Sequence, residues 1–132
     1  MTILADASAF VAWLTREEDA ERLAGVLQSH EDRLYCAVGA WEAVRAVAHK
    51  HNIALDAARE RFEILAGRMG FRLVVIGDAE WRLAVEAHRL YGKGAGHPAR
   101  LNMGDCFAYA CAKTNNARLL YKGDDFLHTD LA

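Results

Sequence analysis

Residues 101–126 read LNMGDCFAYACAKTNNARLLYKGDDF, and this stretch decides the fold class. Its first half is apolar on nearly every side of a helix, which predicts a buried helix over Met103–Thr114. Asn115–Asn116 is a typical helix stop, and Arg118–Tyr121 then has the pattern of a strand. A buried helix that leads into a strand is typical of parallel α/β architecture, in which helices cover the sheet.

The same alternation of strands and helices extends toward the N-terminus. Strands are predicted at Thr2–Ala5, Leu34–Val38 and Phe71–Ile76, the last as a fully buried run between two glycines. The tail Leu127–Leu131 is predicted to add an edge strand. The sequence therefore predicts a three-layer α/β/α fold with a central, mainly parallel sheet of four to five strands, formed by residues 1–132 as one domain. Five further helices are predicted: Ala9–Leu14, one from near Glu17, Ala40–Lys50, Ala57–Met69 and Ala79–Tyr91, the last capped by Asp78.

Composition and charge bound the class of protein. Of the 132 residues, 53% are apolar, which supports a globular fold rather than disorder. No apolar run approaches the ~20 residues that a bilayer-spanning helix needs. The N-terminus lacks the basic start of a signal peptide, so a cytoplasmic protein with no membrane association is expected. The net charge of −2 neither supports nor excludes a nucleic-acid partner. Three cysteines without metal-ligand spacing are expected to be reduced and buried: Cys36, Cys106 and Cys111.

Acidic residues recur where predicted strands end or where the following helices begin. Asp6 follows the first strand, Glu42 lies early in a helix after the second, and Asp105 lies in the first turn of the buried helix. Asp124 and Asp125 follow the last strand through a glycine. Because parallel strands direct their carboxyl ends to one edge, these carboxylates are expected to meet in one cleft. Carboxylates brought together repel each other unless a hard cation lies between them, so a magnesium or manganese site is predicted.

Each acid also has an ordinary structural interpretation. Asp6 can cap the first helix, although Ser8 can do the same. Glu42 can be a surface acid stabilised by the helix dipole, and Asp124–Asp125 can belong to a simple turn. Asp105 is the most informative, because a charge at the start of a buried helix requires a cation or several hydrogen bonds.

One glycine-rich loop stands out between the last two helices. It reads GKGAGHPAR over residues 92–100, and it carries Lys93, His97 and Arg100 just before Asp105. Its letters resemble a phosphate-binding P-loop, but the spacing and position are wrong for one.

Taken together, three segments resemble the PIN-domain ribonucleases, and most closely the VapC toxins of bacterial VapBC type II toxin–antitoxin modules. These are LADASAF at residues 4–10, WEAVRAVAHK at residues 41–50, and YGKGAGHPARLNMGDCFAYACAKTNNARLLYKGDDFLHTDL at residues 91–131. A lone D-x-S motif is weak, whereas this ordered set is specific and spans essentially the whole chain.

The resemblance implies a Mg²⁺- or Mn²⁺-dependent endoribonuclease that cleaves structured RNA, such as tRNA or rRNA loops, by metal-activated water. Carried over by position, Asp6, Glu42 and Asp105 match three core acids, with Asp6 and Asp105 as direct metal ligands. Asp124 is the preferred fourth acid and Asp125 the alternative, because the position where many relatives place an acid is Gly123 here. Ser8, Lys93 and Arg100 are candidates for substrate contact or site support.

The resemblance further implies a VapB-type antitoxin as partner, a homodimer, and a toxin–antitoxin hetero-oligomer. Helix surfaces around Leu23, Phe62 and Leu65 are candidates for the dimer contact.

Three rival classes fit the sequence less well. A phospho-receiver domain needs paired acids after its first strand, but Asp6 is followed by Ala7 and Ser8, and that class gives Asp105 no role. A haloacid-dehalogenase-like phosphatase needs D-x-D at the same place. An inactive PIN-like binding module would not require the complete acid set.

Overall fold

The central sheet has four strands that all run parallel. The computed structural model describes residues 1–132 and places the strands in the order β3-β2-β1-β4. Leu4 of the central strand pairs with Leu34 on one side and with Leu119 on the other. The chain therefore builds outward in one direction and then returns to the opposite side of the first strand, so a topological switch point lies between β1 and β4. The strands are β1 Thr2–Ala5, β2 Asp32–Cys36, β3 Phe71–Val74 and β4 Arg118–Leu120.

Six α-helices and one short 3-10 helix connect and cover these strands. Because parallel neighbours need crossover connections, every pair of consecutive strands is separated by at least one helix. The α-helices are α1 Ala7–Leu14, α2 Ala20–Val26, α3 Ala37–His51, α4 Leu55–Arg68, α5 Asp78–Tyr91 and α6 Met103–Thr114, and the 3-10 turn is Leu27–Ser29.

Two hydrophobic clusters fill the two sides of the sheet. Leu4 and Leu34 face one cluster, which is completed by α5, α6 and Phe126. Ile3 and Ala5 face the other, which is built by α1 to α4 around Phe10. Alternate residues of β1 thus point to opposite faces, as the strand geometry requires. The predicted three-layer α/β/α fold is confirmed, with the sheet at the lower end of the predicted strand number.

Helix α6 has the bounds that its sequence predicted, and its position explains its apolar character. Eight of its twelve residues are buried. It packs mainly against α5 and also touches β1, β2 and β4, so little of its circumference faces water. Asn115 ends it, as predicted. All three cysteines are free and buried, as predicted. No helix of the molecule has both the length and the apolar character needed to cross a bilayer.

Four local predictions are corrected by the structure. The third strand ends at Val74 and lies at the sheet edge, so it is not a fully buried run, and Val75 beyond it is 77% exposed. The tail after Phe126 forms turns rather than a fifth strand. Helix α5 begins at Asp78 itself, with Gly77 as its N-cap and Glu80 accepting from the Gly77 backbone N–H at 2.8 Å.

The fourth correction concerns the predicted dimer surface. Leu23 and Phe62 are buried within the cluster around Phe10 and have no free face to offer another chain. Only Leu65, which is half-buried, retains part of the surface that the sequence suggested. A 3.6-residue apolar pattern does not distinguish a core-facing stripe from an interface stripe, because both bury the same face of a helix.

Candidate active site

Asp6 lies where β1 ends, at the topological switch point. Its backbone N–H donates to the carbonyl oxygen of Leu120 at 2.9 Å, so the end of β4 is hydrogen-bonded to it. Asp6 is also the N-cap of α1, and its carboxylate accepts from the Ser8 backbone N–H at 3.4 Å. The side chain is only 7% exposed. The capping role and a site role coexist, because a cap uses one carboxylate oxygen and leaves the other available.

Ser8 links Asp6 to the strand on the other side of the switch point. Its hydroxyl donates to Asp6 Oδ2 at 2.8 Å and accepts from the backbone N–H of Lys122 at 2.9 Å. The first contact restrains the rotamer of Asp6, and the second restrains the backbone just after β4. Ser8 therefore connects Asp6 to the segment after β4, and it has no neighbouring base that would make it a nucleophile.

Asp105 is held by a reciprocal pair of hydrogen bonds with Asn102. The Asp105 backbone N–H donates to Asn102 Oδ1 at 2.9 Å, and the Asn102 backbone N–H donates to Asp105 Oδ2 at 3.0 Å. This capping box satisfies two backbone donors at the start of α6 and fixes one oxygen of the carboxylate. Asp105 is as buried as Asp6. A charge at this depth is tolerated because the chain itself supplies hydrogen bonds to it.

Glu42 reaches the site from the second turn of α3 and is positioned by packing. Its carboxylate lies directly over Gly104, where even a single Cβ atom would overlap both of its oxygens. The side chain is half-buried and receives no hydrogen bond from the protein. The Glu42 carboxylate therefore occupies the space that a Cβ atom at position 104 would fill, and glycine at this position lets α3 and α6 approach each other.

The three acids act on one another electrostatically. Burial, opposed by the hydrogen bond from Asn102 and aided by the negative charges of Asp6, Asp125 and Glu42, raises the pKa of Asp105 to about 7. Burial is also the main cause of the raised pKa of Asp6, opposed by its Ser8 hydrogen bond. The pKa of Glu42 is raised by burial and then by the charge of Asp6, while Arg45 lowers it. Asp6 before α1, Glu42 in α3 and Asp105 in α6 are therefore close enough for the charge of one to raise the pKa of another.

The two acids that follow β4 differ in their electrostatic effect on the buried acids. The charge of Asp125 raises the pKa of both Asp6 and Asp105. Asp124 is exposed and contributes its backbone, accepting from the Leu127 N–H at 3.1 Å. Gly123 adopts a left-handed φ of 91° in the turn that follows β4, and both aspartates beyond it are exposed. Which of the two aspartates is the fourth acid stays a prediction.

The basic loop residues do not join the acids. Lys93 is exposed and lines a groove between α5 and α6 that also contains Trp81 and Met103. Arg100 is exposed, has a left-handed φ of 54°, and makes no ion pair. The base of the loop is fixed by two backbone hydrogen bonds, from Leu101 to Tyr91 at 2.7 Å and from Lys93 to Leu101 at 3.1 Å.

The donor set fits a divalent cation, although the side chains are not closed around one. No group of three His, Cys, Asp or Glu side chains is arranged to hold a metal ion as the structure stands. A hard cation nevertheless prefers oxygen donors such as these carboxylates. Its positive charge would favour their ionised forms and so lower their raised pKa values. Glu42 has no hydrogen bond to break and can move toward such an ion.

Sequence reasoning missed two residues that shape the site. Asn102 precedes Asp105 by three positions, and this spacing is the signature of a capping box that the sequence did carry. Gly104 carried no signal of its own, because its requirement comes from Glu42, a residue distant in sequence.

This fold and this acidic cleft define a PIN domain. The family model described as "PIN domain" matches residues 3–131, and the chain belongs to that family. The predicted family is therefore confirmed.

Curated relatives narrow the class further. VapC ribonuclease R02377 of Rhizobium meliloti (strain 1021) is 37% identical over 137 residues, which cover 96% of each chain. Ribonuclease VapC30 of Mycobacterium tuberculosis (strain ATCC 25618 / H37Rv) is 35% identical over 127 residues, covering 96% of this chain and 94% of the relative. VapC ribonuclease Mb2780c of Mycobacterium bovis (strain ATCC BAA-935 / AF2122/97) is 33% identical over 129 residues, covering 98% and 96%.

Proposed function

We propose that this protein is a VapC-type endoribonuclease, the toxin component of a VapBC type II toxin–antitoxin system. The observation that carries the proposal is the cleft in which the buried Asp6 and Asp105 meet Glu42, in a chain that is 33–37% identical to VapC ribonucleases over nearly its whole length. Residues 1–132 act as one PIN domain.

The cleft works with a divalent cation, Mg²⁺ or its substitute Mn²⁺. When bound, such an ion supplies charge neutralisation at the scissile phosphate and lowers the pKa of the attacking water. Asp6 and Asp105 would hold the ion, and in each of them one carboxylate oxygen already accepts a hydrogen bond from the protein. Their fixed rotamers hold the two ligands in place before the substrate arrives, so little reorganisation is needed.

The other acids complete the cleft. Glu42, which no hydrogen bond restrains, orients the attacking water and accepts its proton, a role for which a raised pKa is suitable. Asp125 is the fourth acid, because its charge acts on both Asp6 and Asp105. Ser8 holds Asp6 in its rotamer.

The substrate and partners follow from the same class. The substrate is a structured RNA with an unpaired loop, such as a tRNA or rRNA loop, since an unpaired backbone reaches a recessed phosphodiester site more readily than a duplex does. Lys93 and Arg100 are exposed and contact the RNA backbone outside the cleft. The protein acts in the cytoplasm, forms homodimers, and is neutralised in a hetero-oligomer with a VapB-type antitoxin.

Cleavage of total RNA by purified protein tests the proposal. Wild type with Mg²⁺ is expected to release discrete fragments, and EDTA is expected to stop the reaction. Asp6→Asn should lose activity by on the order of 10²–10⁴-fold. Glu60→Gln, an exposed acid of α4, is the matched control and should cleave like wild type. Cleavage that survives EDTA, or that survives Asp6→Asn, would contradict the assignment.

The same assay distinguishes the two candidates for the fourth acid. Asp125→Asn is expected to lower the rate, whereas Asp124→Asn, which keeps the backbone contact with Leu127, should leave it near wild type. The opposite order of effects would restore Asp124 to the site.

A further inference from the structure

The three tryptophans differ in how their indole N–H groups are satisfied. Trp13 donates to the carbonyl oxygen of Ala20 at 3.1 Å, and Trp81 donates to Asp78 Oδ1 at 3.0 Å. Trp41 is 59% exposed, and its indole N–H has no hydrogen-bond partner in the protein. An exposed tryptophan without a local partner is a common feature of recognition surfaces, because its face is apolar and its edge is polar.

An arginine is stacked on Trp41 and is equally unengaged. The guanidinium of Arg45 lies 5.1 Å from the centre of the Trp41 ring, and it forms neither an ion pair nor a hydrogen bond. The second such pair in the molecule provides a contrast. Arg82 lies 4.8 Å from the Trp81 ring, but its Nε donates to the same Asp78 that binds the indole. We call the Trp81–Arg82 pair closed, because both side chains donate hydrogen bonds to Asp78. The Trp41–Arg45 pair is open, because none of its donors has a partner in the protein.

The open pair lies beside the acidic cleft. Trp41 directly precedes Glu42 in α3, and Arg45 lies one helical turn beyond both residues. The charge of Arg45 reaches the Glu42 carboxylate and lowers its pKa. A ligand that contacts Trp41 and Arg45 is therefore within about one helical turn of Glu42.

Trp41 and Arg45 also form one wall of a groove between α3 and α4. The groove has a volume of about 610 Å³, within the ~300–1,000 Å³ typical of ligand sites. Its floor is apolar, with Leu55 and Leu73 among the exposed side chains. Its other charged residues are Asp56, Arg59 and Glu63, and the last two pair with each other at 3.8 Å. Arg45 is thus the unpaired cation of the groove.

We propose that Trp41 and Arg45 form a stacking platform for an unpaired RNA base next to the scissile phosphate. The proposal rests on the ribonuclease function proposed above and names the residues that recognise its substrate. An indole face stacks on any nucleobase, and a free guanidinium beside it binds the adjoining phosphate or the base edge. The apolar floor of the groove then covers the outer face of that base. A protein segment is the other class of occupant, and the cleavage and antitoxin outcomes below distinguish it from RNA.

Steady-state cleavage of a hairpin RNA carrying a cut site mapped with wild type tests the platform. Trp41→Ala is expected to lower kcat/KM by on the order of 10-fold to 100-fold, and Trp41→Phe, which keeps an aromatic face, should retain most of it. Trp81→Ala is the matched control, since it removes the tryptophan of the closed pair. Thermal unfolding should show that Trp41→Ala is as stable as wild type, because the side chain is exposed.

Abasic nucleotides placed one at a time around the cut locate the stacked base. Wild type is expected to lose rate at one abasic position by about the factor that Trp41→Ala loses on the intact hairpin. Trp41→Ala should be insensitive to that same position, because both changes remove one interaction. A wild type that tolerates every abasic position would overturn the platform.

The outcomes separate this proposal from the function on which it rests. If wild type cleaves RNA and Trp41→Ala cleaves it equally well, the platform is wrong and the ribonuclease stands. If Trp41→Ala cleaves normally but a co-expressed antitoxin no longer restrains it, the pair recognises protein and the platform is again wrong. If wild type neither binds nor cleaves RNA, both proposals fall together.

Discussion

The two walls of the acidic cleft are built differently. On one wall, Asp6 and Asp105 are each fixed by hydrogen bonds from a neighbour in sequence, Ser8 for the first and Asn102 for the second. On the other wall, Glu42 has no hydrogen bond and is positioned only by packing against Gly104. Direct metal ligands gain from a rigid geometry, whereas a group that handles a proton gains from freedom to move. The difference teaches that local hydrogen bonds and long-range packing supply different parts of one site.

Filling the gap at Gly104 would break the packed wall and leave the hydrogen-bonded wall intact. In Gly104→Ala, the added Cβ overlaps the Glu42 carboxylate, which must swing aside. A displacement of this size is expected to lower kcat by on the order of 10²-fold. RNA cleavage kinetics measure the loss, and thermal unfolding should show a folded protein.

Gly67→Ala in α4 is the matched control for that change. A Cβ at Gly67 meets nothing within 4 Å, so alanine there should leave cleavage unchanged and add slight helix stability. If Gly104→Ala retains full activity, the position of Glu42 does not matter for the reaction.

Removing the Asn102 side chain would loosen the hydrogen-bonded wall instead. Asn102→Ala loses the bond from the Asp105 N–H but keeps the one that the Asn102 backbone donates, so the carboxylate is only partly released. Activity is expected to fall ~10-fold with a higher Mg²⁺ requirement, as for changes in residues that support metal ligands. Titration of the cleavage rate with Mg²⁺ measures both effects, and Asn102→Ser, which can still cap, should recover most of the rate.

The opposite end of the same helix provides the comparison. Asn115 caps α6 at its C-terminus through a bond to the Cys111 carbonyl oxygen at 2.8 Å. Asn115→Ala should lower the free energy of unfolding without a change in the Mg²⁺ requirement. An equal shift in both variants would mean that helix stability, rather than Asp105 geometry, sets the effect.

The pH dependence of stability should be the smallest effect, and it reports on the burial and the mutual repulsion of the cleft carboxylates. The pKa of Asp105 is about 7 in the folded protein and near 3.8 in the unfolded chain. Between these values the folded state binds a proton that the unfolded state has lost, so metal-free stability falls as pH rises toward 7 and stays low above it. Urea unfolding in EDTA should show a decrease of at least ~1 kcal/mol between pH 5 and 8.

Asp105→Asn sharpens this measurement. The variant should be more stable than wild type at pH 8 and should depend less steeply on pH, since only the raised pKa values of Asp6 and Glu42 remain. Addition of Mg²⁺ should stabilise wild type more than the variant. A wild type whose stability does not depend on pH would mean that neither burial nor repulsion raises the pKa values of the cleft carboxylates.

Much of the fold was predictable because its determinants are local. The bounds of α6 and of β1 follow from periodicity and from stop residues within each segment. The position of β3 was not predictable, because an apolar run reads the same in a central and an edge strand until the neighbouring strand order is known. The surface around Leu23 failed for a similar reason, since its apolar stripe belongs to the core.

The site residues also differ in how far local sequence predicted them. Asp6 and Asp105 could be proposed from the sequence because each begins a helix that follows a turn or a strand, where capping chemistry and site chemistry coincide. The roles of all the site residues stay predictions, although their convergence in one cleft is now visible in the charges they exert on each other.

By itself, the sequence determined the α/β alternation, the PIN family and the helix-capping acids, because each depends on patterns that a few neighbouring residues complete. Only the tertiary structure decided that the charge of Asp125 acts on Asp6, that Gly104 makes room for Glu42, and that the Trp41 indole N–H lacks the partner that the Trp81 indole N–H has. These features depend on how helices distant in the chain pack on the sheet, and packing distances of a few ångströms are not encoded in the pattern of any single segment.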